Sequence, residues 1–160
     1  MFAGITTTTT ISTTTAPKCP INESNTFIVD GGCYTFVDQV KNANDAKSYC
    51  ESRHGFLFEP RSAHTNKLVY DKGNDVLSGE RMWIGVVTQN GKGGPWKFAT
   101  TGDDVIQPLW HSGQPNEAGY EIWAYLGCGG EKWCDAGPTN TYRFICEYSV
   151  VDFSAIKVCT

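Results

Sequence analysis

The chain has 160 residues, of which 40% are hydrophobic and 19% are charged. These values are typical of one globular domain with a short additional segment, long enough to bury a sizeable core. The formal net charge is −4, which excludes the basic surface that nucleic acid or an anionic membrane would require. No apolar run approaches the roughly 20 residues of a membrane-spanning helix. We therefore expect neither nucleic-acid binding nor membrane insertion.

Seven cysteines are spread along the chain, and none belongs to a Cys-x-x-Cys pair. They are Cys19, Cys33, Cys50, Cys128, Cys134, Cys146 and Cys159. With only three histidines in the chain, the ligand spacing of a zinc site is absent, and structural disulfides are the better explanation. Disulfides persist in oxidising compartments, so we expect a secreted protein or one on the extracellular surface. The odd count leaves one thiol over, unpaired or joined to another chain.

Two features near the N-terminus are typical of glycoproteins. Residues 5–16 form a threonine-rich tract followed by Pro17; such tracts cannot pack a core and resemble O-glycosylated stalks. A linker without glycans is an equal alternative. Residues 22–24 read Asn-Glu-Ser, an acceptor sequence for N-glycosylation that is consistent with a surface position in a secreted protein.

The sequence divides into three parts. We assign residues 1–18 to a stalk or linker, residues 19–149 to one domain and residues 150–160 to a C-terminal tail. The first residues lack the basic start and the apolar stretch of a signal peptide. We therefore expect either a processed or cropped chain or a module of a larger protein.

A hairpin is predicted at the start of the domain. Residues 26–29 and 34–37 are β-prone and flank the turn residues 30–32, which read Asp-Gly-Gly, a hairpin pattern. Cys19 and Cys33 stand where a bridge between them would clip this hairpin.

The first helix is predicted over residues 42–53. Ala43, Ala46 and Cys50 recur with the spacing of one helical face, and Gly55 ends the helix. Cys50 therefore points inward, where a disulfide can attach the helix to the sheet.

A second helix is predicted to begin at Ser62, a favourable N-cap, and to carry residues 68–69 inward. Residues 71–79 are predicted as a turn or a frayed helix end. The continuous apolar run over residues 83–87 is typical of a strand buried on both faces.

The C-terminal half begins with a long segment rich in glycine and proline, residues 89–119. A loop of that length is usually functional or disordered, but three aromatic side chains favour an ordered loop packed on itself: Trp96, Phe98 and Trp110. Residues 121–126 and 132–133 flank a glycine-rich turn and predict another hairpin. Residues 142–148 predict a closing strand.

Four short strings follow one another in a fixed order: Trp83-Ile84-Gly85-Val86, Gln114-Pro115-Asn116, Trp133-Cys134-Asp135 and Phe144-Ile145-Cys146-Glu147. In these strings and their order, residues 19–149 resemble a C-type lectin-like domain of the long form. The resemblance implies an α+β fold in which two helices pack on twisted antiparallel β-sheets, with a long loop region and disulfide bridges that staple the domain. It does not suggest an enzyme, and the sequence shows no local nucleophile–base pair.

The resemblance also bears on the cysteines. It implies that Cys50 pairs with Cys146. The second bridge of the family is missing, because other residues stand near the places of its cysteines. Cys128 and Cys134 offer a substitute across the predicted hairpin. Cys159 is the leftover candidate, unpaired or disulfide-linked to the chain's first cysteine or to a partner.

In the C-type lectin family, the second and third strings together with an acid on the intervening strand bind Ca²⁺, and two sugar hydroxyls complete the ion's shell. Mapped onto this chain, the metal-binding and carbohydrate-binding residues are Gln114, Asn116, Glu121 and Asp135. Cys134 stands where the family usually has an asparagine, and its side chain offers no hard oxygen. We therefore expect weak calcium binding, on the order of 10⁻⁴ to 10⁻³ M, and glycans or a glycoprotein as ligands.

Several alternatives stay open at the level of sequence. Gln-Pro-Asn lies between the Glu-Pro-Asn of mannose-binding members and the Gln-Pro-Asp of galactose-binding members. Tyr120 is placed either to pack on a sugar or to join the core, and Glu117 competes as a ligand. His111 is predicted to be a surface residue. The second hypothesis is a calcium-independent protein-binding module that uses the same loop, and a third is a structural module on a stalk.

Overall fold

The computed structural model describes residues 18–90, 93–116 and 120–150. The threonine-rich tract, Glu117 and Cys159 lie outside the described residues, so the domain boundaries and the pairing of Cys159 stay predictions. The described chain forms two helices and eight strands. In chain order they are β1 (Thr26–Val29), β2 (Gly32–Lys41), α1 (Ala43–Glu51), β3 (Phe56–Leu57), α2 (Ala63–Leu77), β4 (Met82–Val87), β5 (Lys97–Phe98), β6 (Trp123–Leu126), β7 (Trp133–Ala136) and β8 (Tyr142–Tyr148).

The strands form one sheet in the order β1-β2-β8-β4-β6-β7, with β3 paired to β8 and β5 to β4. The strand pairs are antiparallel, except that β4 and β8 run parallel. The closing strand β8 therefore lies in the middle of the sheet, and β1 and β7 end the path of paired strands. The predicted α+β class is confirmed. Neither described helix has the length and apolar character needed to cross a membrane.

The predicted hairpin is formed by β1 and β2. Val29 and Gly32 are cross-strand partners, which leaves Asp30 and Gly31 as a two-residue turn with φ of 49° and 77°. Two residues with positive φ are the requirement of the hairpin turn whose twist matches the strands.

Helix α1 shows the predicted inward face. Ala43, Ala46 and Cys50 are fully buried, and the N-cap Asn42 accepts a hydrogen bond from Asp45 N at 2.9 Å. The helix ends at Glu51 rather than at residue 53.

Helix α2 is longer than predicted. Ser62 is its N-cap, but the helix continues to Leu77 before Ser78 turns into the left-handed region at φ 58°. The prediction of a turn or a frayed helix end over residues 71–79 was therefore wrong. Gly73 packs so closely on β4 that a Cβ there would lie 2.7 Å from Met82 Sδ. Long-range packing of this kind overrides the low helix propensity of glycine.

Three disulfides staple the fold. They join Cys19 to Cys33, Cys50 to Cys146, and Cys128 to Cys134. The first ties the segment before β1 to β2, the second ties α1 to β8, and the third closes the turn between β6 and β7.

Apolar side chains fill both sides of the central strands. Along β4, Trp83 packs in the cluster beneath α1, whereas Met82 and Ile84 pack in the cluster beneath α2. Phe144 and Ile145 of β8 divide in the same way. This confirms that the continuous apolar run of β4 marks a strand buried on both faces.

Candidate functional site

The long loop between β4 and β6 is attached to the outer edge of β7. Trp133 N donates to Leu109 O at 3.0 Å, and His111 N donates to Trp133 O at 2.8 Å. The intervening Trp110 forms a parallel bridge with Trp133. The rings of Trp96 and Trp110 lie 4.7 Å apart, and those of Trp110 and Trp133 lie 5.7 Å apart. Packed aromatic side chains therefore hold the described part of the loop in place, as predicted.

A buried hydrogen-bond pair fixes the same edge from the side of α2. The indole Nε1 of Trp133 donates to Asn66 Oδ1 at 2.9 Å, and Asn66 Nδ2 donates to Glu131 O at 2.9 Å. Asn66 is fully buried, and both its Oδ1 and its Nδ2 have a partner where an unmade bond would be costly. β7 is thereby held at a fixed position beneath the loop.

The turn that follows His111 carries two of the predicted site residues, Gln114 and Asn116. Gln114 N donates to His111 O at 3.0 Å, and the peptide bond between Gln114 and Pro115 is cis. Gln114 is half-buried and Asn116 is exposed.

Asp135 lies on β7, opposite Ala124 of β6, and is only 5% exposed. Its Oδ1 accepts a hydrogen bond from Asn116 N at 3.2 Å, so the turn and the strand meet directly. Among the described residues, no ion pair includes Asp135. A buried carboxylate of this kind is costly unless a cation or hydrogen bonds compensate it.

Two oxygens of the turn and the strand are buried without a hydrogen-bond partner in the described part of the chain. They are Gln114 Oε1 and Asp135 Oδ2. Most buried polar atoms in proteins are hydrogen-bonded, so such exceptions indicate a function, an ion or a water. Amide and carboxylate oxygens are the ligands that calcium prefers, and the residues present therefore fit this ion.

Glu121 is half-buried and lies two residues before β6. The charges of Glu121 and Asp135 act on the same side chain, that of Tyr125. Burial is the largest cause that raises the pKa of Tyr125, and the charges of Asp135 and Glu121 raise it further. Both carboxylates therefore act on the same hydroxyl, Asp135 from β7 and Glu121 from the segment just before β6.

Cys134 is 2% exposed and its sulfur is bonded to Cys128, so it contributes no ligand atom. A ring nitrogen of His111 and the two sulfurs lie within 4.8 Å of one another. Because the sulfurs are joined to each other, they are not available as thiolate ligands. This contact between His111 and the bridge was missed in the sequence, since the residues are distant along the chain.

The surface around the site is partly aromatic. Tyr120 is 66% exposed, which argues against a core role for it. His111 is exposed, as predicted. Asp103 and Asp104 are paired with basic residues, the first with Arg61 at 3.7 Å and the second with Lys97 at 2.7 Å. Those two acids therefore belong to a solvated part of the loop.

A second acidic cluster lies beneath the loop and was also missed. Glu59 Oε1 accepts hydrogen bonds from Thr100 N and Thr100 Oγ1, both at 2.7 Å, and its Oε2 accepts from Arg61 at 2.6 Å. Glu147 Oε2 accepts from Glu59 N at 3.1 Å. Burial, to which the charge of Glu59 adds, raises the pKa of Glu147 to about 7. These contacts anchor the loop on β8, and Arg61 supplies the compensating charge.

Comparison with known proteins decides the family. The sequence model of the family described as "Lectin C-type domain" matches residues 39–148, which include both strands of the site. The chain belongs to the C-type lectin family. Among curated relatives, this C-type lectin chain is 30% identical over 121 residues to "C-type lectin domain family 3 member A" of Bos taurus, an alignment that covers 74% of the chain and 60% of that protein. The chain thus spans just over half the length of such relatives.

Two solved structures show the fold. The mouse scavenger receptor C-type lectin carbohydrate-recognition domain has a TM-score of 0.69 and 24% identity, over 82% of this chain and 98% of that one. A calcium-independent type II antifreeze protein has a TM-score of 0.71 and 18% identity, over 86% and 98%. At these identities the likeness establishes the common scaffold alone.

Proposed function

We propose that this C-type lectin domain binds calcium and, through the ion, a terminal monosaccharide. The observation that carries the proposal is the pair of buried oxygens, Gln114 Oε1 and Asp135 Oδ2, which have no hydrogen-bond partner among the described residues. They belong to a turn and a strand that are joined by the bond from Asn116 N to Asp135 Oδ1. With Glu121, whose charge acts on the same Tyr125 hydroxyl as that of Asp135, the site would offer two carboxylates and two amides.

Each residue has a role that follows from its chemistry. Calcium takes about six to eight oxygen ligands, and Gln114, Asn116, Glu121 and Asp135 would supply part of that shell. Two neighbouring sugar hydroxyls would complete it and hydrogen-bond to the same side chains. The exposed ring of Tyr120 is available to pack on the apolar face of the sugar.

The charge of the site sets its affinity for calcium and its preference among sugars. Two carboxylates with neutral amides favour weak binding, on the order of 10⁻⁴ to 10⁻³ M, as in other extracellular modules. An amide at residue 114 can donate as well as accept, whereas a carboxylate only accepts. We therefore propose that Gln114→Glu moves the sugar preference toward that of mannose-binding members.

Calcium-dependent stability tests the ion site. In 10 mM calcium, which is about 10 to 100 times the proposed Kd, the chain should unfold at a higher temperature than in EDTA, because binding adds about 1.4 to 2.7 kcal/mol. Asp135→Ala should lose this increase. Asp103→Ala, which removes a 66% exposed acid of the same loop, should keep it. No increase in the original chain at 10 mM calcium would contradict the proposal.

Glycan binding tests the sugar site separately. On an array of terminal monosaccharides, the chain should bind in calcium and not in EDTA, and Asn116→Ala should abolish binding without lowering the unfolding temperature in EDTA. Binding that is retained by Asn116→Ala would place the sugar elsewhere.

The disulfides and the threonine-rich tract bear on the compartment and the neighbouring segments of the domain. We propose a non-enzymatic, secreted or surface-displayed glycoprotein module, with residues 1–18 as stalk or linker, 19–149 as the domain and 150–160 as a tail. Cys159 is proposed as a link to a partner. Because single lectin sites are weak, clustering of several domains would raise avidity.

A second candidate function is a calcium-independent protein-binding module. Ile106 on the long loop is 88% exposed, and Cys134 withholds the usual amide ligand. This candidate predicts partner binding that EDTA does not affect and that Ile106→Asp weakens.

A further inference from the structure

The two ends of the sheet differ in what covers them. β7 at one end is covered by the loop through the hydrogen bonds of Trp133 with Leu109 and His111. β1 at the other end is paired with β2 on its inner side, and within the described residues no strand or loop pairs with its outer side. An open strand edge presents unpaired backbone groups that can pair with another chain.

The sequence of β1 favours pairing of this edge with a strand of another chain. It reads Thr-Phe-Ile-Val and carries no charge. Ile28 is 40% exposed, whereas Phe27 is covered by the ammonium of Lys72, 4.0 Å from the ring centroid. Proteins usually protect such an edge with charges, proline, a bulge or a covering segment. β1 is short, at four residues, but it has no charge, proline or bulge within its bounds.

The N-glycosylation sequence lies just before this strand. Asn22, Glu23 and Ser24 form its three residues, and no other Asn-x-Ser/Thr sequence occurs in the chain. Asn22 is exposed in an irregular segment. Three residues lie between it and Thr26, the start of β1, so four steps along the chain reach at most roughly 14 Å at about 3.5 Å per residue.

The neighbours of Asn22 hold the segment in place and leave its amide outward. Cys19 is bonded to Cys33, and Glu23 receives a hydrogen bond from Arg53 Nε at 2.8 Å. Arg53 in turn lies over the ring of Tyr49, 3.6 Å from the centroid. Within the described chain the Asn22 side chain makes no hydrogen bond, so glycosylation would break no hydrogen bond of that amide.

We propose that Asn22 carries an N-linked glycan and that this glycan shields the open edge of β1. In the modification, Asn22 Nδ2 forms a bond to the anomeric carbon of an oligosaccharide carried by a lipid pyrophosphate. The amide loses one proton, and the lipid pyrophosphate is the leaving group. The secretory pathway, which three disulfides also indicate, supplies this donor and its transferase.

The position of the glycan is compatible with ligand binding. β1 and β7 are the two ends of a path of six paired strands, and strand spacing of about 4.8 Å puts five steps at roughly 24 Å. The glycan therefore covers the edge remote from Asp135. This inference does not depend on whether the domain binds calcium.

The modification is tested on the full 160-residue chain secreted from a eukaryotic cell behind a cleavable signal. Digestion with peptide N-glycosidase should remove the mass of one oligosaccharide and convert Asn22 to aspartate, whereas O-glycans on the threonine-rich tract would be retained. Asn22→Gln and Ser24→Ala should both lack that mass, and the matched variant Ser24→Thr should keep it. An unmodified Asn22 in the secreted chain overturns the proposal.

The shielding role is tested by self-association. The monomer fraction of Asn22→Gln and of the enzymatically deglycosylated chain should fall with concentration in sedimentation measurements, while the glycosylated chain stays monomeric. Ile28→Lys added to Asn22→Gln should restore the monomer, because a lysine on an edge strand opposes pairing. Equal monomer fractions with and without the glycan, or association that Ile28→Lys does not reduce, overturn the shielding role.

Discussion

The β7 edge of the sheet is covered by the long loop, whereas the β1 edge is not covered by any described segment. The β7 edge is covered from outside by Leu109 and His111 and fixed from inside by Asn66, which bonds to the indole of Trp133. The β1 edge is held by its hairpin and by the Cys19–Cys33 bridge. The difference shows that the loop does two tasks at once, since the contacts that close one edge also position Gln114 and Asp135. Among the described residues, none of the proposed calcium ligands lies at the β1 edge.

Trp133→Ala should have the largest effect on this comparison. The side chain is fully buried, and its removal from a packed core should cost about 3 to 5 kcal/mol of unfolding free energy. The loop would also lose the packing of Trp110 on this ring, so the calcium-dependent rise in unfolding temperature should vanish. Chemical denaturation with and without calcium measures both effects. Phe27→Ala, at the half-buried β1 edge, is the control and should leave the calcium effect intact.

The pH dependence of stability probes the centre of the sheet, between the two edges. Burial raises the pKa of Glu147 to about 7 from 4.5. The folded chain therefore binds more protons than the unfolded chain between these values, and stability should fall as pH rises through that window and then level off. The change should be at most about 3.4 kcal/mol, because the pKa is raised by about 2.5 at 1.36 kcal/mol per unit.

Glu147→Gln isolates this effect. The variant keeps an acceptor oxygen for Glu59 N but removes the ionisable group. Denaturation at pH 5 and pH 8 should show a smaller fall in stability for the variant than for the original chain. An equal fall in both would assign the pH dependence to other groups.

Removing the bridge beside the site should have an intermediate effect. Cys128 and Cys134 are only six residues apart, so Cys128→Ser with Cys134→Ser should cost about 2 kcal/mol by the loop-entropy relation. Cys50→Ser with Cys146→Ser, which opens a separation of 96 residues, should cost more, about 4.7 kcal/mol. The first variant should nevertheless weaken calcium binding, because Asp135 follows Cys134 directly. Calcium titration of the folded variant measures this.

Ile28→Lys should have the smallest effect on stability. The side chain is 40% exposed on an edge strand, and surface substitutions usually change stability by less than about 0.5 kcal/mol. Its unfolding temperature should match that of the original chain within that range. A large loss would mean that Ile28 packs against the fold more than its exposure indicates.

Local patterns predicted much of the fold. The turn residues Asp30 and Gly31 identify the first hairpin because only a few residue types accept positive φ at both positions. The spacing of Ala43, Ala46 and Cys50 identifies the inward face of α1 because it is a property of the helix alone. The C-terminal half of α2 was predicted wrongly, since the close packing of Gly73 on Met82 is a contact between distant segments.

The candidate site was predictable as a set of residues and not as an arrangement. Gln114 and Asp135 were chosen from their strings, but nothing local indicates that Asn116 N meets Asp135 Oδ1. The support beneath the loop was missed for the same reason. Glu59, Thr100 and Glu147 come from three separate segments, and no periodicity links them.

The central position of β8 has a consequence for how the chain is made. β8 lies between β2 and β4 and carries Cys146, the partner of Cys50 in α1. The two halves of the sheet therefore cannot join until the ribosome has released the segment up to Tyr148. At about 5 to 20 residues per second, β2 and β4 wait several seconds for their common neighbour. Chaperones and disulfide isomerases should act on the nascent chain during that interval.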